Sequence, residues 1–329
     1  QSRTTINERD IWIEVAINDQ GGGVGKVIWK LNGRTVGVQY PEQSHTKKLL
    51  TLTPGMENVI EVVAFNKSGD IESSPAQLFL KLKDMISERP NLYVLAIGID
   101  KYKYIARNLW LNYAVRDAKS LINRLKEQSE SIFVTTDFVG IYDEKATLKN
   151  IKSKFAQLRN KVKTNDVFVF YVSGHGFVID GKYCIPEFTF DKNKKIPIEN
   201  QSINQDSLQE WMSWIKAQKT LILLDTCHSG SYVKSQLIPS QRTKGIEQIV
   251  ATEKLIRATG RAVISASTDT QAAFEGYKGH GVFTYALLQA LKYADKEYGN
   301  KDKLISTAEI ASYVNEKVPE ITYSKWGYE

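Results

Sequence analysis

Cysteine is scarce in this chain, since Cys184 and Cys227 are the only two among 329 residues. A small secreted protein held together by disulfides would carry more, so that class is excluded. No apolar run reaches the roughly 18 to 20 residues of a membrane span, which excludes a helical membrane protein. The N-terminus, QSRTTINERD, lacks an initiator Met and the basic-then-apolar layout of a secretory signal. We expect a cytoplasmic protein with no membrane partner, and an upstream targeting segment stays open.

The chain also lacks a concentrated basic stripe, although its formal net charge is +7. Residues 1–85 carry ten basic and ten acidic side chains, so the whole excess lies in the remainder, where it is scattered. Proteins that bind nucleic acid usually gather Lys and Arg on one face. The sequence therefore predicts no nucleic-acid partner.

Residues 1–85 are predicted to form a small all-β domain. Strand-like runs separated by turn signals occupy residues 11–17, 26–31, 49–52, 59–65 and 76–82. Asn32-Gly33 is a strong signal for a two-residue hairpin. Short strands at this spacing are typical of a β-sandwich, and the segment resembles an immunoglobulin-like domain of the bacterial kind. Three roles stay open for it: positioning substrate, covering an active-site cleft, or joining a regulatory protein partner or further domains.

Residues 90–329 change to strands that alternate with helices, after a linker at 87–90. Apolar strands are predicted at residues 92–97, 133–141, 167–172, 221–224 and 262–265. Helices are predicted at 112–125, 148–162 (with Thr147 as N-cap), 207–216 and 281–293. This alternation indicates an α/β fold with a mostly parallel sheet flanked by helices. Sites in such sheets form at the C-terminal ends of the strands.

Two of the predicted strands end in residues that can do chemistry together. The run VFVFYVSGHG carries His175 next to its end, and LILLDTCHSG carries Cys227, 52 residues later. A thiol attacks only as its thiolate, so Cys227 needs a base, and His175 suits that role. Gly174 and Gly176 leave room for substrate backbone, and the N–H groups of Gly176 and Cys227 suit an oxyanion hole. The neighbouring His228 is a poorer base, because adjacent side chains diverge.

Simpler interpretations remain open at each of these positions. A lone cysteine after a strand is often a small buried hydrophobe, and a lone histidine is often structural. Cys184, in the apolar context YCIP, is predicted to be structural. His280, before a helix, is predicted to make a loop contact rather than to act as a catalyst.

The motifs SGHG, DTCHSG, ISAS and GHGVFTYALLQAL, over residues 91–293, resemble those of the caspase-like cysteine peptidases. DTCHSG is similar to the metacaspase and bacterial caspase-homologue branch rather than to the caspases proper. The resemblance implies that His175 and Cys227 form a catalytic dyad.

The same resemblance implies a binding site for the residue before the scissile bond. Asp117, Ser173 and Asp225 match the positions that line it in that branch. Paired carboxylates favour a guanidinium or ammonium group, so we expect protein or peptide substrates cut after Arg or Lys. The alternatives are that Asp225 caps the following loop or orients a backbone N–H, and that Asp117 is a solvated helix residue.

The long connection over residues 229–262 carries six basic and two acidic side chains. Loops of this length are uncommon unless they are functional. An enzyme specific for basic residues could cut itself there, at Arg242 or Lys244. The alternative is a solvated surface loop.

A required metal cofactor is not expected. Calcium activates some metacaspases, but the acidic residues in the corresponding region include no adjacent Asp pair: Asp180, Glu187, Asp191, Glu199 and Asp206. The leading hypothesis is a cysteine endopeptidase that acts through an acyl-enzyme. A catalytically silent caspase-like scaffold that binds other proteins and a different thiol hydrolase are the alternatives.

Overall fold

The structure is a computed structural model, which describes residues 4–42, 44–83, 89–129, 132–179, 181–227, 246–266 and 275–327, without the side chains of residues 227 and 246–249. Within those residues, no helix is both long enough and apolar enough to cross a lipid bilayer.

Among the residues described in the N-terminal part, seven strands form. They are β1 (Thr4–Ile6), β2 (Asp10–Ala16), β3 (Val24–Leu31), β4 (Arg34–Gln39), β5 (His45–Thr51), β6 (Glu57–Asn66) and β7 (Ala76–Leu82). One sheet has the order β1-β7-β6-β3-β4, and β2 pairs with β5 in a separate antiparallel ribbon. Trp29 and Ile60 of the first sheet share a core with Leu50 of the ribbon, so the two layers pack as a β-sandwich.

The predicted hairpin at Asn32-Gly33 is confirmed. The two residues have φ of 54° and 77°, and Leu31 pairs with Arg34 across the turn. Both central residues of a type I′ turn need positive φ, which Asn and Gly tolerate best.

The second part is built on a five-stranded parallel sheet. Its strands are β8 (Leu92–Gly98), β9 (Thr136–Tyr142), β10 (Val167–His175), β14 (Lys219–Cys227) and β15 (Ala262–Ser265), in the order β15-β14-β10-β8-β9. All five predicted strands are confirmed. Their unbroken apolar runs follow from burial on both faces of the sheet.

Helices cover the two faces of this sheet. They are α1 (Ala114–Ser129), α2 (Leu148–Lys161), α3 (Gln205–Trp214), α4 (Ile246–Thr259), α5 (Val282–Tyr298) and α6 (Thr307–Trp326). One core lies between the sheet and α2, α3 and α4, and the other between the sheet and α1, α5 and α6. The four predicted helices are present, and Thr147 caps α2 by accepting the N–H of Asn150.

Several elements were not predicted. Helix α4 occupies much of the connection that was expected to be a loop, and α6 runs through Pro319 and ends at Gly327. A small antiparallel sheet of β11 (Phe177–Ile179), β12 (Lys182–Pro186) and β13 (Ser202–Asn204) branches from the end of β10. The last pair is β16 (Glu275–Tyr277) with β17 (His280–Gly281).

The β-sandwich docks on the α/β part through strand β4. Arg34 Nη1 donates to Lys216 O at 2.9 Å and to Ala217 O at 2.6 Å. Thr35 Oγ1 donates to Ala258 O at 2.6 Å. These acceptors are backbone carbonyls just after the C-terminal end of α3 or in the last turn of α4, where the helix dipole favours a cation.

The contact is close-packed. A Cβ at Gly260 would lie 2.0 Å from Gly33 O. The buried Arg261 also donates to Ala217 O, at 2.6 Å. Since Ala217 precedes β14 and Arg261 precedes β15, the sandwich lies at the N-terminal edge of the parallel sheet. That edge is about 26 Å from the C-terminal end of β14, at 3.3 Å per residue.

Candidate active site

The predicted nucleophile and base occupy the last positions of adjacent strands. Strands β10 and β14 pair in parallel over nine residues, and the final pair in register is His175 with Cys227. Neighbouring strands lie about 4.8 Å apart. The sheet therefore places the backbones of the two residues side by side, at the C-terminal edge where the sequence predicts them.

The His175 ring is held in one orientation. It is 1% exposed, and Nε2 lies 2.7 Å from the backbone oxygen of Leu109. A carbonyl oxygen can only accept, so Nε2 carries the hydrogen and Nδ1 is the basic nitrogen. Burial lowers the pKa of His175 to about 4, an effect that the Leu109 carbonyl partly opposes. The imidazole is therefore neutral and able to accept a proton at physiological pH.

The space beside the two flanking glycines is used by the protein itself, which differs from the expectation that it admits substrate. A Cβ at Gly174 would lie 2.9 Å from the Tyr102 hydroxyl, and one at Gly176 would lie 2.9 Å from Thr226 Oγ1. Glycine is needed at both positions because these hydroxyls approach the backbone closely.

Asp225 is a buried carboxyl two residues before the end of β14. It is 4% exposed, and its register partner on β10 is Ser173, also buried. Thr284 Oγ1 donates to Asp225 Oδ2, and the Tyr171 hydroxyl lies 3.2 Å from the same oxygen. Burial, together with the charge of Asp117, raises the pKa of Asp225 to about 7 despite these two donors.

Asp117 is the second buried carboxyl, which excludes the solvated alternative, since it is 1% exposed. Gly281 N donates to Oδ2 at 2.9 Å, and His280 Nδ1 lies 2.5 Å from Oδ1. An ionised carboxylate can only accept, so Nδ1 of His280 then carries the hydrogen. Burial raises the pKa of Asp117, and the His280 hydrogen bond opposes that rise.

The two carboxyl groups meet at Gly281. A Cβ at that position would lie 3.1 Å from Asp117 Oδ2 and 3.3 Å from Asp225 Oδ2. The half-buried Glu275 adds a third negative charge, which raises the pKa of Asp225 further. The fold therefore brings Asp117 and Asp225, which are 108 residues apart in the chain, into one largely buried acidic cluster.

Sequence reasoning missed several partners of these groups. The site residues it missed are Tyr102, Leu109, Tyr171, Glu275 and Thr284. His280 does make a contact at the start of α5, as predicted, and its partner is the candidate binding residue Asp117. The motif GHGVFT contains both His280 and Thr284 and was the one available signal for them.

The other residues singled out in the sequence lie away from this site or outside the residues that the structure describes. Cys184 is buried in β12, in keeping with a structural role. His228, Arg242 and Lys244 lie outside the described residues.

Two of the acidic residues considered for calcium make local contacts. Glu187 accepts the N–H of Leu148, and Asp206 pairs with Lys182 at 2.8 Å. Asp180 is not described. In the part of the chain that the structure covers, no three His, Cys, Asp or Glu side chains lie close enough to hold a metal ion.

Comparison with known proteins adds a family match. A family model described as the caspase domain matches residues 92–326. No curated protein matches the chain significantly.

Solved structures give weaker likenesses. The Drosophila initiator caspase Dronc is 14% identical, with 70% of this chain and 74% of Dronc covered and a TM-score of 0.42. Protein GSU0716 from Geobacter sulfurreducens is 21% identical, with 62% of this chain and 82% of that protein covered and a TM-score of 0.40. Fibronectin(III)-like modules of CbhA from Clostridium thermocellum are 15% identical over 26% of this chain and 92% of their own, with a TM-score of 0.22. At such TM-scores, the family match alone carries the assignment.

Proposed function

This chain belongs to the caspase-domain family of cysteine peptidases, and from that membership we propose that it is an active cysteine endopeptidase that cuts after Arg or Lys. The observation that carries the proposal is the register of His175 with Cys227 at the shared end of β10 and β14. Parallel strands of one sheet place them about 5 Å apart at the backbone, within reach of a proton transfer between thiol and imidazole.

The proposed base is Nδ1 of His175. As sulfur attacks the substrate carbonyl carbon, the thiol proton moves to Nδ1 and the carbonyl π electrons move onto oxygen. The N–H groups of Gly176 and Cys227 stabilise that oxyanion in the proposal, a contribution of about 3 kcal/mol per donor in known cases. When the oxyanion collapses, the C–N bond breaks and the imidazolium gives its proton to the leaving amine. Water then attacks the acyl carbon while the same imidazole takes its proton, the C–S bond breaks, and the imidazolium returns the proton to the sulfur, which releases the carboxylic acid product and the free thiol.

The low pKa of His175 favours a particular form of this mechanism. An imidazole with a pKa of about 4 is almost entirely unprotonated at neutral pH in the absence of substrate. In the proposal, the free enzyme therefore keeps thiol and imidazole neutral, and the proton moves during attack rather than before it.

The proposed specificity rests on the acidic cluster formed by Asp117 and Asp225. The oxygens of these two buried carboxyls lie near one point, and the pKa of each is raised. A cation bound between them would stabilise their ionised forms. A guanidinium offers a planar fork of donors that can serve both carboxylates, and an ammonium offers a point charge. Ser173, in register with Asp225, lines the same site in the proposal.

The N-terminal sandwich does not act as a cleft-blocking element in this proposal. Its contact with the α/β part is at Lys216, Ala217 and Ala258, on the sheet edge opposite His175. Self-processing at Arg242 or Lys244 remains part of the proposal, although both lie outside the described residues. A single intact band on a denaturing gel from a fully active sample would exclude a requirement for it.

The test is turnover of fluorogenic peptides that differ only in the residue before the cut. Arg, Lys, Asp and Leu are compared in wild type, Cys227→Ala and the matched control Cys184→Ala, which alters the only other cysteine. We expect cleavage of the Arg and Lys peptides by wild type and Cys184→Ala, and none by Cys227→Ala. Turnover that survives Cys227→Ala, or a preference for Asp, would contradict the proposal. A folded wild type with no turnover would indicate the scaffold alternative.

A further inference from the structure

The amide of His175 is bound by a side chain instead of by a neighbouring strand. Strand β8 pairs with β10 as far as Gly98 opposite Ser173, and Ile99 N still donates to Ser173 O at 3.0 Å. The chain then leaves the sheet. The next amide of β10 on this side, His175 N, donates to the Tyr102 hydroxyl at 2.9 Å. Tyr102 thus continues the hydrogen-bond ladder of β10 after the β8 backbone has ended.

The same tyrosine also contacts the imidazole ring. The rings of Tyr102 and His175 are stacked, with centroids 5.1 Å apart and planes 29° from parallel. Tyr102 is fully buried, so it excludes water from that side of the imidazole. A ring pair in this geometry restricts the plane in which the histidine can lie.

The loop that carries Tyr102 also carries the carbonyl that holds Nε2. Over residues 99–111, the Trp110 indole N–H lies 3.2 Å from Tyr102 O and 3.1 Å from Ile105 O. Leu111 N donates to Asp100 O at 3.0 Å. These bonds tie the position of Tyr102 to that of Leu109.

We propose that Tyr102 is a positioning residue for His175, through a hydroxyl that fixes the histidine backbone and a ring that fixes the plane of the imidazole. Leu109 O then fixes the rotation within that plane, so that Nδ1 keeps one direction. The inference rests on the proposed function, in which Nδ1 of His175 is the base. A misplacement of about 1 Å at such a group can lower the rate by about 100-fold.

Kinetics of three full-length variants test the role. Tyr102→Leu removes ring and hydroxyl, and Tyr102→Phe removes only the hydroxyl. Tyr104→Leu is the matched control, because Tyr104 lies on the same loop and is 49% exposed. We expect kcat on an Arg peptide to fall by about 100-fold in Tyr102→Leu and about tenfold in Tyr102→Phe. KM should stay within about twofold, and Tyr104→Leu should match wild type. Wild-type kcat in a folded Tyr102→Leu would overturn the inference.

A second measurement does not depend on turnover. Each variant is made with Cys227→Ala and ¹⁵N-labelled histidine, and the His175 signal is assigned among the four histidines by its loss in His175→Gln. With Tyr102 present, we expect the Nε2–H tautomer; with Tyr102→Leu, we expect mixed tautomers and a titration midpoint shifted upward by about one unit.

Tyr102→Phe covers the case in which Tyr102→Leu fails to fold. Its His175 amide should exchange with solvent at least about tenfold faster, because its hydrogen-bond acceptor is lost. Unchanged exchange together with an unchanged tautomer would refute the positioning role. If wild type shows no Cys227-dependent turnover but the spectra respond to Tyr102, the proposed function fails while the contact between Tyr102 and His175 stands.

Discussion

The raised pKa of Asp225 gives a pH dependence that separates a cation-binding pocket from a merely structural carboxyl. Its pKa is about 7 because the group is buried and lies close to the charge of Asp117. A substrate guanidinium binds the ionised form, so binding near neutral pH must displace a proton. Preference for Arg should therefore rise with pH.

The size of the rise follows from the titration. With a midpoint of about 7, Asp225 is about 9% ionised at pH 6 and about 91% ionised at pH 8. If only the ionised form binds the cation, apparent affinity scales with that fraction and increases about tenfold over this range. Asp117 titrates together with Asp225, so the midpoint belongs to the pair.

The assay compares two peptides that are identical except for Arg or its neutral isostere citrulline before the cut. The ratio of their kcat/KM values is followed from pH 5.5 to 8.5, since division removes the pH dependence of the dyad. We expect the ratio to rise about tenfold between pH 6 and pH 8 in wild type. It should be flat in Asp225→Asn.

Glu275→Gln is the matched control. Glu275 raises the pKa of Asp225 by charge without being the titrating group, so the rise should persist with its midpoint at lower pH. A wild-type ratio that is flat within about twofold, or a tenfold rise that survives Asp225→Asn, would refute the reasoning.

Three further predictions concern stability. Burial lowers the pKa of His175 to about 4, so below about pH 6.5 the unfolded chain binds a proton that the folded chain does not bind. The free energy of unfolding therefore falls as pH falls from 6.5 to 4. In urea unfolding, wild type should lose about 2 kcal/mol more than His175→Gln between pH 7 and pH 4.5. Gly260→Ala should destabilise by more than about 2 kcal/mol. Gly33→Ala, also at positive φ but with nothing within 4 Å of its Cβ, should cost only about 1 kcal/mol. Equal losses would contradict the close contact between the sandwich and the α/β part. Arg34→Ala should cost about 3 kcal/mol or more, because two hydrogen bonds from a charged group are lost, each typically about 1.5 to 3 kcal/mol. The value of kcat should stay unchanged, and the 82%-exposed Arg257, changed to Ala, is the neutral control.

The elements that could be predicted are those with a local signal. Apolar runs bounded by turns predicted all five parallel strands, and Asn32-Gly33 predicted its hairpin, because both patterns act over a few residues. Helix α4 was missed because the connection was interpreted from its charges and its length. In the fold, Ala251 and Leu255 of α4 are buried against the sheet, a burial that only tertiary packing reveals.

The candidate site divides in the same way. His175 and Cys227 could be placed together because each ends a strand, and strand ends of a parallel sheet share an edge. The residues that orient His175 and set its protonation could not be predicted. Leu109 acts through a backbone carbonyl, which every residue possesses, and it lies 66 positions before His175. Tyr102 looks like any core aromatic until the fold brings its hydroxyl to the His175 amide.

The sequence by itself determined the family, the parallel sheet, the strand ends that carry a thiol, an imidazole and the Asp225 carboxyl, and the helix that carries Asp117, because residue type and hydrophobic period are local properties. Tertiary structure alone decided that His175 is buried with Nε2 protonated, and that the β-sandwich lies at the N-terminal edge of the parallel sheet. It alone also buried Asp225 beside Asp117, which raises the pKa of Asp225 to about 7. Burial and charge proximity depend on contacts between distant segments, and those exist only once the chain has folded.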